Sequence, residues 1–309
     1  MTQNVIIDLH LGNFDMRCGG IMVQFELCKI LCELGMNARI NSSNHIENNV
    51  CNNYYNNEFP IDENVVVIYG ETIHGNPLNA KKVVRWILAP LGFFFDRTTT
   101  NTWGKDDLVY YFNSEEKFEK EPEKVNRIYK LLNSLHFNPC IKQTNFEART
   151  GTCYTIRKAY QTHKNGFNMI HPPDSFELKY HHTQLEYIEF FNKYKWFVCY
   201  DALTFYIIIA ALCGCIPVVH KIDGLTKQEW IQTTAAAEYC KSKGVFNLYG
   251  IAYGIEEMEY AEKTFHVVKE QWDDIIKFNK EKTIVPFIND IQNFDDQYML
   301  NIVGENFYS

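Results

Sequence analysis

Apolar residues in this chain fall into short solid runs, and each run is followed by a glycine, an acidic residue or a polar loop. Runs of that kind read as parallel strands buried on both faces, where alternation with polar residues is not required. Asn4 to Leu9 (NVIIDL), Val65 to Tyr69 (VVVIY), Val83 to Leu88 and Asp107 to Asn113 predict strands in the first half. Gly151 to Arg157, Trp196 to Tyr200 and Ile216 to His220 predict strands in the second. Between them the period changes to that of a helix. Ile21, Phe25, Cys28 and Cys32 share one face of a predicted helix over 21–34, stopped by Gly35. A short helix is expected after Pro77, another around Val125 to Leu135, and an amphipathic one over Ile255 to Lys269.

The densest apolar stretch runs from Trp196 to His220, and the rest of the pattern is organised around it. It reads as a strand, a turn at Asp201, a helix over 202–212, a stop at Gly214 and a second strand that tolerates Pro217 at its start. A helix that opens at the carboxyl end of a parallel strand presents unpaired N–H groups and the positive end of its dipole, which suits phosphate. Asp201 and Thr204 stand at that opening. Taken alone, an acid there is more often a helix cap than a site. The first strand leads into a glycine-bearing loop and a helix, the opening of a Rossmann-like domain. Its Gly19 and Gly20 are a weaker signal than a full dinucleotide fingerprint, which the chain lacks.

The order Asp201, seven residues, Ile209, then Ala210, Gly214, Pro217, Val218 and Val219 resembles the signature helix of retaining, glycogen-synthase-like GT-B glycosyltransferases. In that family an acidic residue stands where this chain has Ile209, and it usually holds the nucleotide ribose. The resemblance implies an α/β fold of two Rossmann-like domains facing a cleft. It implies 1–143 as an acceptor-side domain, 144–280 as a nucleotide-sugar domain and 281–309 as a segment that packs back on the first. Asp201 would lie near the donor sugar, with Tyr200 and Thr204 beside it. Arg157 or Lys158, after the first strand of the second domain, would neutralise the donor diphosphate, with Arg149 behind them. Neighbours on a strand point to opposite faces, so only one of the two is expected to meet the phosphate. Lys221, with Asp223 and Gly224, would line the nucleotide.

Composition narrows this picture. With 46% hydrophobic and 22% charged residues in 309, the chain can bury two ordinary cores. A net charge of −8 argues against nucleic acid as the main partner. Ten scattered cysteines show no CxxC pair, so they read as reduced residues of a cytoplasmic protein. The longest uncharged run, 203–220, contains Gly214 and Pro217 and reads as sheet core, so no membrane span is expected. Residues 41–57 read as an exposed connection, and Glu115 to Lys124 as a solvated charge run. Phe93, Phe94 and Phe95 read as a core edge. His181 and His182 have no partner at metal-ligand spacing and read as surface.

Loops at the carboxyl ends of parallel strands supply the remaining candidates. Glu71 and His74 lie in the loop after Tyr69, and the resemblance implies that the loop after the first strand, with Asp15, His10 and Arg17, also faces the cleft. If the reaction inverts, one of Asp15, Glu71 and His74 is the base. His171, Asp174 and Ser175 border the second domain's edge. The expected activity is metal-independent transfer of a sugar from a nucleotide-diphosphate-sugar donor to a hydroxyl of a glycan or related acceptor, with no other cofactor. No D-x-D motif is present. A sugar-nucleotide epimerase or phosphorylase on the same fold, or a non-catalytic nucleotide- or glycan-binding protein, are the alternatives.

Overall fold

The computed structural model describes residues 3–9, 18–42, 59–89, 91–92, 96–113, 130–135 and 137–295. The chain divides into two compact units, Met1–His136 with Lys277–Ser309, and Phe137–Ile276. The first contains β1 (Asn4–Asp8), α1 (Gly19–Glu33), β2 (Asn37–Asn41), β3 (Val66–Gly70), β4 (Lys82–Ile87), β5 (Leu108–Tyr111) and β6 (Lys130–Leu131). Its strands form one parallel sheet in the order β2-β1-β3-β4-β5-β6.

The second unit contains β7 (Thr150–Thr155), α2 (Ala159–Thr162), β8 (Phe176–Glu177), α3 (Gln184–Lys193), β9 (Tyr194–Cys199), α4 (Tyr206–Leu212) and β10 (Ile216–Val219). It continues through α5 (Lys227–Gln232), α6 (Ala237–Lys243), β11 (Ala252–Tyr253), α7 (Met258–Thr264) and α8 (Val268–Asn279), whose last three residues belong to the first unit. Its sheet is parallel in the order β11-β10-β9-β7-β8. Numbered from its own first strand, the first sheet therefore reads 2-1-3-4-5-6 and the second 2-1-3-4-5, both doubly wound orders. The chain is an α/β protein of two Rossmann-like units. After α8, a wide helical turn over Lys280–Ile284 leads into α9 (Val285–Gln292), where Asp290 of the first unit accepts from the Tyr110 hydroxyl at 2.7 Å and the Lys130 ammonium at 2.8 Å.

The solid apolar runs are buried as the parallel arrangement requires. Val66, Val67 and Ile68 are fully covered, as are Ile6, Phe197 and Cys199. Each such aliphatic or aromatic side chain contributes roughly 1.5–3 kcal/mol relative to exposure. Two elements have quieter signals. β2 (NARIN) alternates half-buried Asn37, Arg39 and Asn41 with buried Ala38 and Ile40, as a sheet's edge strand does. α3 opens on a capping box in which Thr183 and Glu186 satisfy each other's backbone N–H groups.

The structure corrects several sequence expectations. The helix expected over 202–212 begins at Tyr206, because Ala202 to Thr204 are used in a turn. No helix follows Pro77; Tyr69 and Asn76 organise that loop instead, with the Tyr69 hydroxyl donating to Asn76 Oδ1 at 2.9 Å and accepting from Leu78 N–H at 3.0 Å. Lys130 and Leu131, expected in a helix, pair with Tyr110 and Tyr111 of β5. The helix over 255–269 is divided into turns of different pitch around α7. Phe93, Phe94, Phe95 and the charge run over 115–124 lie outside the described residues. Among the described residues no helix is long and apolar enough to cross a membrane.

Candidate functional site

A doubly wound sheet opens a crevice where successive connections leave in opposite directions, outside the carboxyl ends of two neighbouring strands. In the first unit that point lies between β1 and β3, and in the second between β7 and β9. The candidate residues fall at both.

In the second unit, Thr155 pairs with Cys199 and Val219 pairs with Cys199 from the other side. Two residues further on, Arg157, Asp201 and Lys221 follow at one level beyond β7, β9 and β10. Arg157 takes a left-handed backbone conformation (φ 41°), which is unfavourable for a side-chain-bearing residue and turns its guanidinium inward. There its Cζ lies 4.7 Å from the Tyr206 ring centre and 5.5 Å from that of Tyr180, with Nε 4.0 Å from Asp201 Oδ2. Only 8% of the Arg157 side chain and 4% of that of Asp201 is exposed.

Asp201 acts as a clasp. Its carboxylate accepts from Leu203 N–H at 3.4 Å and from the Lys158 N–H across the sheet. Burial raises its pKa, against the opposing charges of Arg157 and Lys158. Asp201 is therefore not the helix cap, and Thr204, whose N–H donates to Asp201 O at 3.2 Å, precedes α4 instead of lying at its third position. Arg157 is likewise a partner of Asp201 and the tyrosines, and Lys158 is the exposed member of the pair.

Tyr200 turns out to be floor, not ligand surface. It is fully buried, and its hydroxyl accepts Ile170 N–H at 2.6 Å and His171 N–H at 3.3 Å while lying 2.8 Å from His171 Nδ1. Phe167 stacks on its ring, His163 bonds its carbonyl, and the His163 and His220 rings meet edge to face at 4.8 Å. His171 stacks on Tyr154, and burial lowers its pKa. Ser175 is half-buried, and Asp174 is exposed beside it. Arg149 lies at the amino end of β7, where its guanidinium bonds Phe191 O and Cys213 O beneath Gly214, so it cannot reach this edge.

On the surface of the same edge stand Lys158, Lys221, Asp223, Gly224 and the exposed rings or chains of Tyr160, Tyr180, Leu203 and Ile255. Lys221 pairs with Glu256 over Gly254, whose φ of 94° and missing Cβ leave room for the pair. The apolar members were not foreseen. Each follows a strand, and loops after parallel strands were the available signal.

In the first unit Gly19 and Gly20 begin α1, and a Cβ on Gly20 would stand 3.6 Å from Leu88 Cδ1. Glu71 follows β3, and its Oε2 accepts Leu88 N–H at 3.0 Å. Part of the residue reaches the surface, yet burial of the carboxyl pushes its pKa up to about 7, against backbone N–H groups of Leu88, Glu71 and Ala89. The switch point thus joins a helix start to an acid poised near neutrality. His74, three residues on, is exposed, with Nε2 3.3 Å from Thr99 Oγ1. Asp15, His10 and Arg17 lie outside the described residues. A depression of about 450 Å³ lined by Ile61, Asp62, Glu63, Asn64, Asn79 and Lys81 sits at the amino ends of β3 and β4, the edge away from these groups.

No protein-family model matches the sequence, and no curated protein matches it. Among solved structures the chain is similar to an alpha-glucosyltransferase in complex with UDP and a 13-mer DNA containing a HMU base. The identity is 11% and the TM-score 0.46, with 97% of this chain and 100% of that one covered.

Proposed function

We propose that the chain transfers a sugar from a nucleotide-diphosphate-sugar donor to a hydroxyl of a glycan or related acceptor. The observation that carries the reading is the doubly wound parallel sheet repeated in both units, with candidate groups at both switch points. The second unit supplies a donor edge, where Lys158 and Lys221 offer charge to a diphosphate, Asp201 with Arg157 holds the loop that carries Lys158, and Glu256 pairs with Lys221. The first unit supplies Glu71, whose raised pKa suits proton transfer near neutral pH. In the reaction the acceptor oxygen bonds to the anomeric carbon. The bond from that carbon to the phosphate oxygen breaks, the nucleoside diphosphate leaves with the electron pair, and the acceptor proton passes to a protein base or to the departing phosphate.

A second reading has its own observation. The acid of the resemblance, Asp201, is clasped by protein groups, and Ile209 is 1% exposed within α4, which fits a protein that binds a nucleotide or glycan without turnover. The test is to follow nucleoside diphosphate released from UDP-, GDP- and dTDP-sugars in EDTA, with and without oligosaccharide acceptors. Acceptor-dependent release that falls in Glu71→Gln supports transfer. Nucleotide binding without release supports the second reading, and acceptor-independent conversion of the donor points to an epimerase.

A further inference from the structure

β4 carries an arginine, Arg85, in the middle of an otherwise apolar run, and it is fully buried. A guanidinium in that position is strongly unfavourable unless its N–H groups are used. Here they are. Nε donates to Asp107 Oδ2 at 2.6 Å, one terminal nitrogen to Gly75 O at 2.5 Å and the other to Ile73 O at 3.4 Å. The Tyr69 and Trp103 ring centres lie 4.9 and 5.5 Å from Cζ. Asp107 Oδ2 also accepts Gly104 N–H at 3.0 Å.

A sheet core gains little from such a pair, because apolar replacements of buried ion pairs are often as stable. What distinguishes this pair is where its hydrogen bonds go. Ile73 and Gly75 belong to the loop that carries Glu71 and His74, and the outer side of the loop is held by Thr102 Oγ1, which accepts Gly75 N–H at 2.8 Å. We infer that Arg85 and Asp107 are positioning residues, clamping the β3 loop from below so that the Glu71 carboxylate stays seated on the Leu88 amide. The catalytic meaning of this clamp rests on the sugar-transfer reading, whereas the clamp itself can be tested without substrate.

The experiment is carboxyl ¹³C NMR of Glu71 with amide hydrogen exchange of Leu88, on the full ligand-free chain. The variants are the double substitution Arg85→Met with Asp107→Asn, the exposed Thr102→Val, and Lys130→Met as a control that breaks the 2.8 Å pair with Asp290 in the same unit. In the double variant the Glu71 midpoint is expected to fall from about 7 toward 4.5. Leu88 exchange is expected to rise by about tenfold or more relative to Val67. Thr102→Val moves both in the same direction by less, and Lys130→Met moves neither. Unchanged Glu71 titration and Leu88 protection in the folded double variant overturn the inference. Should that variant not fold, the same null result in Thr102→Val overturns it, as does an equal shift in Lys130→Met. Where wild type turns over, loss of kcat with an unchanged donor KM accompanies the NMR change. Where it does not, the sugar-transfer reading fails while the NMR result still decides the clamp.

Discussion

Glu71 Oε2 accepts the Leu88 N–H at 3.0 Å, so the acid beyond β3 is held by the loop beyond β4. Asp201 repeats the relationship in the second unit, where the acid beyond β9 accepts the N–H of Lys158 beyond β7. In each case an acid ties together two loops at the carboxyl edge of a sheet.

The Glu71 seat has a sign that stability can read. Its folded pKa, about 7, is above the ordinary 4.5, so its contribution is full below pH 4.5 and is lost as pH rises through 7. The difference amounts to about 3 kcal/mol. Glu71→Gln keeps an acceptor for Leu88 N–H and cannot ionise. Urea unfolding of both proteins at several pH values is expected to show the variant gaining on wild type between pH 4.5 and 7. A pH-independent gap between the two would contradict the buried seat.

Arg157 and Lys158 separate structure from binding. Arg157→Ala leaves the Asp201 carboxyl buried beside empty space, and a loss of about 3 kcal/mol is expected. Lys158→Ala, at an exposed position, is expected to change stability by no more than about 0.5 kcal/mol. Its nucleotide affinity should nevertheless fall by about tenfold. Chemical denaturation and calorimetric titration of the same two variants decide this, and equal stability losses would reverse the assignment.

Ile209 stands where the resembling family carries an acid, but it is 1% exposed within α4. Restoring the acid with Ile209→Glu would bury a carboxyl without a partner and is expected to destabilise by about 3 kcal/mol or more. Ile209→Val should cost about 1 kcal/mol. An Ile209→Glu variant as stable as wild type, with tighter nucleotide binding, would show that the position faces a ligand.

Gly214 ends α4 with φ of 93°, and a Cβ there would run into the Arg149 guanidinium. Gly214→Ala is expected to lose about 2 kcal/mol from the left-handed backbone and the displaced arginine together. Pairing it with Arg149→Ala should recover part of the steric component, measurable as non-additivity in a double-mutant cycle.

Both sheets were legible because parallel strands write themselves as solid apolar runs, as in Val65 to Tyr69 and Trp196 to Tyr200. β2 was missed although Ala38 and Ile40 alternate with polar neighbours, because five residues of alternation beside an asparagine-rich stretch resemble a loop. α3 had a readable start in Thr183 and Glu186. The site was legible by loop but not by orientation. Asp201 reads locally as a cap, while its decisive partners, Arg157 and the Lys158 amide, lie more than forty residues earlier in the chain. Arg85 shows the same limit, since VVRWI discloses a strand and nothing of Asp107.

The proposed nucleotide-sugar site at the carboxyl edge of the second sheet is tested most directly by calorimetric titration of UDP-, GDP-, dTDP- and CDP-sugars in EDTA. Saturable binding of one nucleotide family is expected, weakened by Lys158→Ala and by Lys221→Ala while both variants stay folded. Absence of binding by every donor at millimolar concentration, or binding that neither lysine affects, would contradict it.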